Sequence, residues 1–313
     1  MDDFRLLIAA TSGQGKSWAL RRILEQTHGF VQQIIFDPEG EFFTLREIFD
    51  FILARAGEEN RRDCPADVAS ADVLAKKLLE KKASAVLDIY ELQADQRTEF
   101  VRVFVECLMD VPRTLWRPVM VVIDEAQLFV PQSGESASGK AVSDMMFRGR
   151  KRGFSGVLSS LRLSAVHKDA IAMCRNILIG GFTLDVDTQR AVNSLGFVGR
   201  EAESRIRQLA PGNFFVQGPA FTREVELATI GGVQTTHPKS GRKLPPVAPP
   251  SAHIKTLLPD FQNLYEEAKR KLRTEADLKQ EIKILRAQVA RLRRQTHVVP
   301  ELQPTDVQEE IAV

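Results

Sequence analysis

The chain has 313 residues, 43% of them hydrophobic and 27% charged, a balance that supports one large core plus an appendage and excludes a disordered or collagen-like polymer. Its formal net charge of +2 is too small to demand a polyanionic partner, so where the charges fall matters more than their sum. Cys64, Cys107 and Cys174 stand far apart without ligand spacing, which excludes a zinc ribbon or disulfide scaffold and suits small core fillers in a reducing compartment. With no apolar run of about 18 residues and no basic leader, a soluble, cytoplasmic protein without direct membrane insertion is expected.

The first predicted strand, residues 4–9, runs straight into Ala10-Thr11-Ser12-Gly13-Gln14-Gly15-Lys16-Ser17. This is the pattern of a nucleotide-phosphate loop with alanine in place of its first glycine. In such a loop backbone N–H groups curl around phosphates, and the next helix turns its positive end toward them. Lys16 then reaches the β- and γ-phosphates and the Ser17 hydroxyl holds Mg2+, with Thr11, Ser12, Gly13, Gln14, Gly15 and Trp18 completing the candidate ATP-binding set. The competing reading is a small-residue turn with a solvent lysine.

A helix over 17–27 leads to a strand at 31–36 that ends in Asp37-Pro38-Glu39-Gly40-Glu41. Asp37 is a candidate metal ligand beside the loop, although Pro38 and Gly40 equally suit a rigid strand-to-helix turn. Residues 55–69 are polar and read as an excursion from the core. Leu74, Leu78 and Leu79 give a helix over 71–82, residues 85–90 a strand, and Phe100, Val103, Phe104, Cys107 and Leu108 a helix over 96–109. Strands alternating with amphipathic helices predict an α/β fold with a mostly parallel sheet.

The strand at 119–123 ends in Asp124-Glu125, at the carboxyl end where such sheets deliver catalytic side chains. Asp124 suits Mg2+ through water and Glu125 suits polarising the attacking water, since phosphoryl transfer needs an aligned nucleophile and neutralised charge more than a covalent partner. Residues 133–139 read as a mobile loop. A helix over 142–147 then places Arg148, Arg150, Lys151 and Arg152 at its carboxyl end, where cations are favoured.

From residue 140 to residue 168 there are seven Lys or Arg against one acid, Asp144. Besides a solvated face, two roles stand for the cluster: an arginine entering a neighbouring subunit's site, and contact with a nucleic-acid backbone by Arg148, Lys151 and Arg152. Ser160, with Ser159 and Arg162 beside it, ends the strand at 156–160 and is the candidate γ-phosphate sensor. A strand at 176–179 and a hairpin of 213–217 with 224–230 around Gly218-Pro219 close the sheet edge.

Residues 1–230 thus form one ATPase-type domain. The proline-rich stretch 231–259 is a tether or a surface-hugging strap. Over 260–296, Phe261, Leu264, Ala268, Leu278, Ile282, Leu285, Val289 and Leu292 occupy a and d heptad positions, interrupted by Lys271 and Glu275. Ile and Val at a with Leu at d suit a parallel two-stranded coil between subunits, while packing onto the parent domain is the alternative. Residues 297–313 read as an acidic flexible tail.

Together these residues resemble the HerA/FtsK superfamily of ring-forming ATPases, in particular its HerA-like branch. The resemblance is carried by Thr11 to Ser17, by Asp37 to Glu41, by Ile123-Asp124-Glu125-Ala126-Gln127, by Gly149-Arg150-Lys151-Arg152-Gly153 and by the late strand at 212–218. It implies a RecA-like core with added antiparallel edge strands. It also implies a hexamer that hydrolyses ATP with Mg2+ to move double-stranded DNA without strong sequence preference, with Lys16 and Glu125 catalytic and Arg150 the finger acting in trans. The amino-terminal β-barrel of many members is expected to be missing, since the first strand begins at Phe4. Where relatives carry Gln-Arg after the sensor strand this chain has Leu161-Arg162, and leucine cannot hydrogen-bond phosphate or water, so Ser160 or Arg162 is expected to take over. The expected function is an ATP-driven DNA translocase; the alternative is an ATP-gated assembly or adaptor protein whose terminal helix docks a nuclease or virion component.

Overall fold

The computed structural model describes residues 4–57, 61–134, 136–199, 201–238 and 244–296. The apolar run behind Arg5 forms β1 (Leu6–Ala9), and all four side chains are fully buried. Leu6 and Ile8 enter one core layer while Leu7 and Ala9 enter the other, the period-two alternation of a strand covered on both faces. On one face α1 (Lys16–Thr27) supplies Ala19, Leu20 and Leu24. The other face is covered by α2 (Ala71–Lys81), α3 (Ala94–Asp110) and α4 (Gly139–Arg148).

The strands are β2 (Gln32–Asp37), β3 (Ile52–Arg55), β4 (Cys64–Pro65), β5 (Ala85–Asp88), β6 (Val119–Ile123), β7 (Phe154–Ser160), β8 (Asn176–Ile179), β9 (Asn213–Gly218) and β10 (Thr222–Thr229). With β1 they make a 10-stranded sheet in the order β10-β9-β8-β1-β7-β6-β2-β5-β3-β4 among the described residues. From β8 through β4 every pairing is parallel, and β9 and β10 add an antiparallel edge. This is the mostly parallel α/β sheet with antiparallel edge strands that the sequence predicts. A reciprocal capping box between Gln93 and Gln96 starts α3, which sets Phe104 edge-on to Phe36 at 5.1 Å. Truncating so deeply buried a ring costs about 3–5 kcal/mol.

Residues 55–69 are not simply an excursion. Arg55 closes β3 and Cys64–Pro65 pair with it, extending the sheet beyond β5. The polar residues that hid this do the fastening: Asp63 accepts both Arg46 guanidinium nitrogens at 2.8 and 2.9 Å and the Leu53 N–H at 2.9 Å. At 133–139, Ser138 is fully buried and its hydroxyl donates to the Phe129 carbonyl at 2.7 Å.

Residues 231–238 lie along α1. The buried Glu25 carboxylate accepts the Gln234 and Thr235 N–H groups at 2.8 and 2.9 Å and the Thr235 hydroxyl at 2.7 Å. Contacts divide the chain into two units at Glu267 and Ala268. The first unit runs past residue 230 through α8 (Ala252–Leu257), after α5 (Lys168–Ala172), α6 (Asp185–Ser194) and α7 (Glu201–Arg207). It also buries Phe261 and Leu264, so these two heptad positions belong to its core. Lys77 and Lys81 bond Glu267 and Asp260 there, each at 2.7 Å. The second unit holds most of α9 (Leu264–Thr296), whose Leu278, Ile282, Leu285 and Val289 are 48–52% exposed. The Leu292 side chain and the expected tail at 297–313 lie outside the described residues.

Candidate nucleotide site

The loop after β1 is shaped by Gly13 and Gly15, at φ of 81° and 93°, values that side-chain-bearing residues rarely adopt. Gly15 is the residue before α1, and no side chain caps that helix, so its first N–H groups point outward for an anion. Ala10 is fully buried where a glycine was expected, and the structure shows what makes room for it: a Cβ at Gly180 would lie 2.8 Å from the Ala10 Cβ. The missing glycine is offset by one across the sheet. The Thr11 N–H donates to the Gly181 carbonyl at 3.0 Å and the Gly212 N–H to the Gln14 carbonyl at 2.9 Å, so the loop is held from both sides.

Lys16 is not a solvent lysine; its side chain is 4% exposed and its ammonium lies 2.8 Å from both Asp124 Oδ1 and Glu125 Oε1. It also donates to Ser159 Oγ at 3.2 Å, which uses all of its donors. Burial works against the charged lysine, yet the two carboxylates outweigh it and hold its pKa above the ordinary value. Glu125 reaches this position with φ 48° and ψ 48°, a left-handed conformation costing about 1–2 kcal/mol in a non-glycine residue. Such strain is stored where the surroundings over-determine it.

Ser17 donates to the Glu41 carboxylate, whose pKa rises with burial. Glu39, in the same cavity, is raised by burial and by Glu125 and Asp124. Asp124 Oδ2 is buried without a hydrogen-bond partner, the kind of orphan that a cation or its water satisfies. Ser17 and Asp124 together offer the hard oxygen donors that Mg2+ takes, and among the described residues no further acidic or His cluster competes as a metal site. Asp37 stands differently: its carboxylate accepts the Glu41 and Phe42 N–H groups at 3.1 and 2.8 Å and pins the turn that Pro38 and Gly40 form. Burial and the neighbouring Asp88 push its pKa well above the ordinary range. It holds the turn that carries Glu39 and Glu41.

Ser160 donates to Gln127 Oε1 at 2.6 Å, and Gln127 donates in turn to Glu125. The side-chain amide missing at Leu161 is therefore present in space at Gln127, to which sequence reasoning gave no role although it closes the Ile-Asp-Glu-Ala-Gln run. Only the sheet register reveals it, by setting the ends of β6 and β7 side by side. Arg162 is engaged elsewhere, donating to Asp187 at 2.8 Å. The cavity above the loop measures about 860 Å³ and is lined by Thr11, Ser12, Gly13, Gly15, Lys16, Ser17 and Trp18 among others.

The structure does not bring Arg148, Arg150, Lys151 and Arg152 into this cavity. They precede β7, whose seven residues at about 3.3 Å each put them roughly 20 Å from its Ser160 end. Arg148, Arg150 and Lys151 are exposed, whereas Arg152 donates to the Met109 carbonyl at 2.8 Å and lies over the Trp116 ring. Arg152 is thereby drawn away from the expected set of DNA contacts.

Residues 4–108 match the family model described as the helicase HerA central domain. Over that stretch the chain is similar to the HerA central domain. Three solved structures are similar to it in fold. Plasmid coupling protein TrwB in complex with the GTP analogue GDPNP is 13% identical at a TM-score of 0.52, over 76% of this chain and 88% of that one. The trigonal form of the bacterial conjugative coupling protein TrwBdeltaN70 with sulphate is 14% identical at 0.51, over the same shares of 76% and 88%. The genome packaging NTPase B204 from Sulfolobus turreted icosahedral virus 2, in complex with sulfate, is 12% identical at 0.49, over 75% and 100%. At such identities the TrwB likeness speaks for the fold alone. No curated protein matches. Asp124, Glu125, Gln127, Ser159 and Ser160 lie beyond the matched residues 4–108, so their grouping rests on the geometry above.

Proposed function

We propose that this chain is an ATPase that assembles into a ring, a hexamer, and uses ATP hydrolysis to move double-stranded DNA. The observation that carries the reading is the Lys16 ammonium held between Asp124 and Glu125 at the end of β6. Phosphates bound by the loop N–H groups draw Lys16 toward them, and its departure frees Glu125 to accept a proton from the attacking water. Bound Mg2+, held by Ser17 and Asp124, supplies neutralising charge on the phosphates. Gln127 and Ser160 orient Glu125 and sense whether the γ-phosphate is present.

Arg150 serves a neighbour's site, because the length of β7 keeps it from its own. Arg148 and Lys151 contact the DNA backbone and read no bases. The test is ATP turnover at low salt with and without duplex DNA, alongside native mass. Stimulation by DNA in a ring of six supports the reading, and turnover and ring mass indifferent to DNA refute it.

A second reading is favoured by the exposed Leu278, Ile282, Leu285 and Val289 of α9. On that reading nucleotide binding orders an assembly whose terminal helix captures a protein partner, such as a nuclease or a virion component. A soluble, cytoplasmic setting goes with both readings; among the described residues no helix is long and apolar enough to cross a membrane.

A further inference from the structure

Residues 230–238 belong to none of the motifs that mark the site, yet Ile230, His237 and Pro238 line the same 860 Å³ cavity as Gly13, Lys16 and Ser17. We propose that these strap residues, together with Trp18, form the slot for the nucleobase of the bound nucleotide. The proposal rests on the nucleotide reading of the phosphate loop and names the part of that site which the loop cannot supply.

Lys16 and Glu125 mark the γ-phosphate end of the cavity, so the nucleoside extends toward the side chains beyond Ser17 and away from β6. The first of these is Trp18, whose indole N–H donates to the Gly231 carbonyl at 2.9 Å. The His237 ring stands edge-on to that indole, 6.0 Å away at an interplanar angle of 89°. An indole face, an imidazole, a proline ring and an isoleucine form a flat, weakly polar surface, the chemistry that stacks a neutral base.

Arg21 is fully buried on α1 and donates to the Thr235 hydroxyl at 2.8 Å and to the Glu41 carbonyl. Glu25, one turn further, takes three hydrogen bonds from Gln234 and Thr235. Glu47 accepts the Thr236 N–H at 2.8 Å. Buried charges without partners are costly, so α1 requires the strap in this position. The wall of the slot is therefore set before ligand arrives, which lowers the ordering cost of binding. Arg21 also joins the strap to the residue whose carboxylate accepts from Ser17, so base and metal ends share one network.

The test measures binding of Mg-ATP and of Mg-tripolyphosphate, which lacks base and sugar, to the full chain by calorimetry. Wild type should prefer ATP. His237→Ala and Trp18→Ala should each reduce ATP affinity by roughly 5- to 150-fold, the span of one lost stack, and leave tripolyphosphate affinity unchanged. A second measurement avoids these variants: with Trp116→Phe, Trp18 becomes the chain's remaining tryptophan, and its fluorescence should respond to ATP and not to tripolyphosphate. An ATP preference that survives both variants, or fluorescence indifferent to the base, overturns the slot while leaving the phosphate loop intact. If neither probe binds wild type and Lys16→Ala changes nothing, the nucleotide reading itself falls, and the slot with it.

Discussion

Replacing Lys16 with alanine removes the ammonium that bridges Asp124 and Glu125, whose side chains are 1% and 7% exposed. Two buried carboxylates then face each other without the cation between them, and breaking a buried pair in this way costs about 3–5 kcal/mol. In wild type the Lys16 contribution is complete below the ordinary value of 10.5 and is lost only as pH climbs through the raised folded value. Urea unfolding of both proteins at about pH 7 should therefore show a gap of about 3–5 kcal/mol, and millimolar Mg2+ should narrow it by replacing the lost charge. A gap below about 1 kcal/mol would refute the buried ammonium–carboxylate cluster as described.

Glu125→Gln should keep ATP binding and slow turnover by about 100- to 10,000-fold, read in a phosphate-release assay; preserved turnover removes Glu125 from the base role. Gly180→Ala should drive a methyl into Ala10 and destabilise the chain by about 1–3 kcal/mol in thermal unfolding, with Ala10→Gly restoring part of the loss. No recovery in the double variant would mean that Phe214, which also faces this position, sets the cost. Arg150→Ala should lose turnover, and mixing it with Glu125→Gln subunits should restore activity in proportion to mixed rings. No recovery on mixing would count against a finger acting in trans. Truncation after Glu267 removes all but the first turn of α9 without touching the buried Phe261 and Leu264. Native mass should then show fewer assembled rings, and unchanged assembly would leave α9 to a protein partner.

The phosphate loop, the Asp124-Glu125 pair and the alternation of strands with helices were legible in the sequence because each depends on neighbours within about ten residues. Glycine at 13 and 15 announced the turn, whereas the faces that the β1 side chains take came only with the two core layers. What lay beyond reach was set by approach between distant segments. Asp37 could not be divided between metal and turn until the Glu41 and Phe42 N–H groups were seen on it. Gln127 gained its place only when β6 and β7 paired, and Ala10 its tolerance only when Gly180 came opposite. Residues 231–238 stood open between tether and surface-hugging strap, because proline-rich composition reports local stiffness and says nothing of buried partners. Their position is fixed by Arg21 and Glu25, charges that α1 buries and must satisfy with polar groups some 210 residues away along the chain. Local spacing determined which chemistry the chain carries; the sheet and the strap decided which side chains surround it, since a buried charge takes its partners from whatever the fold brings near.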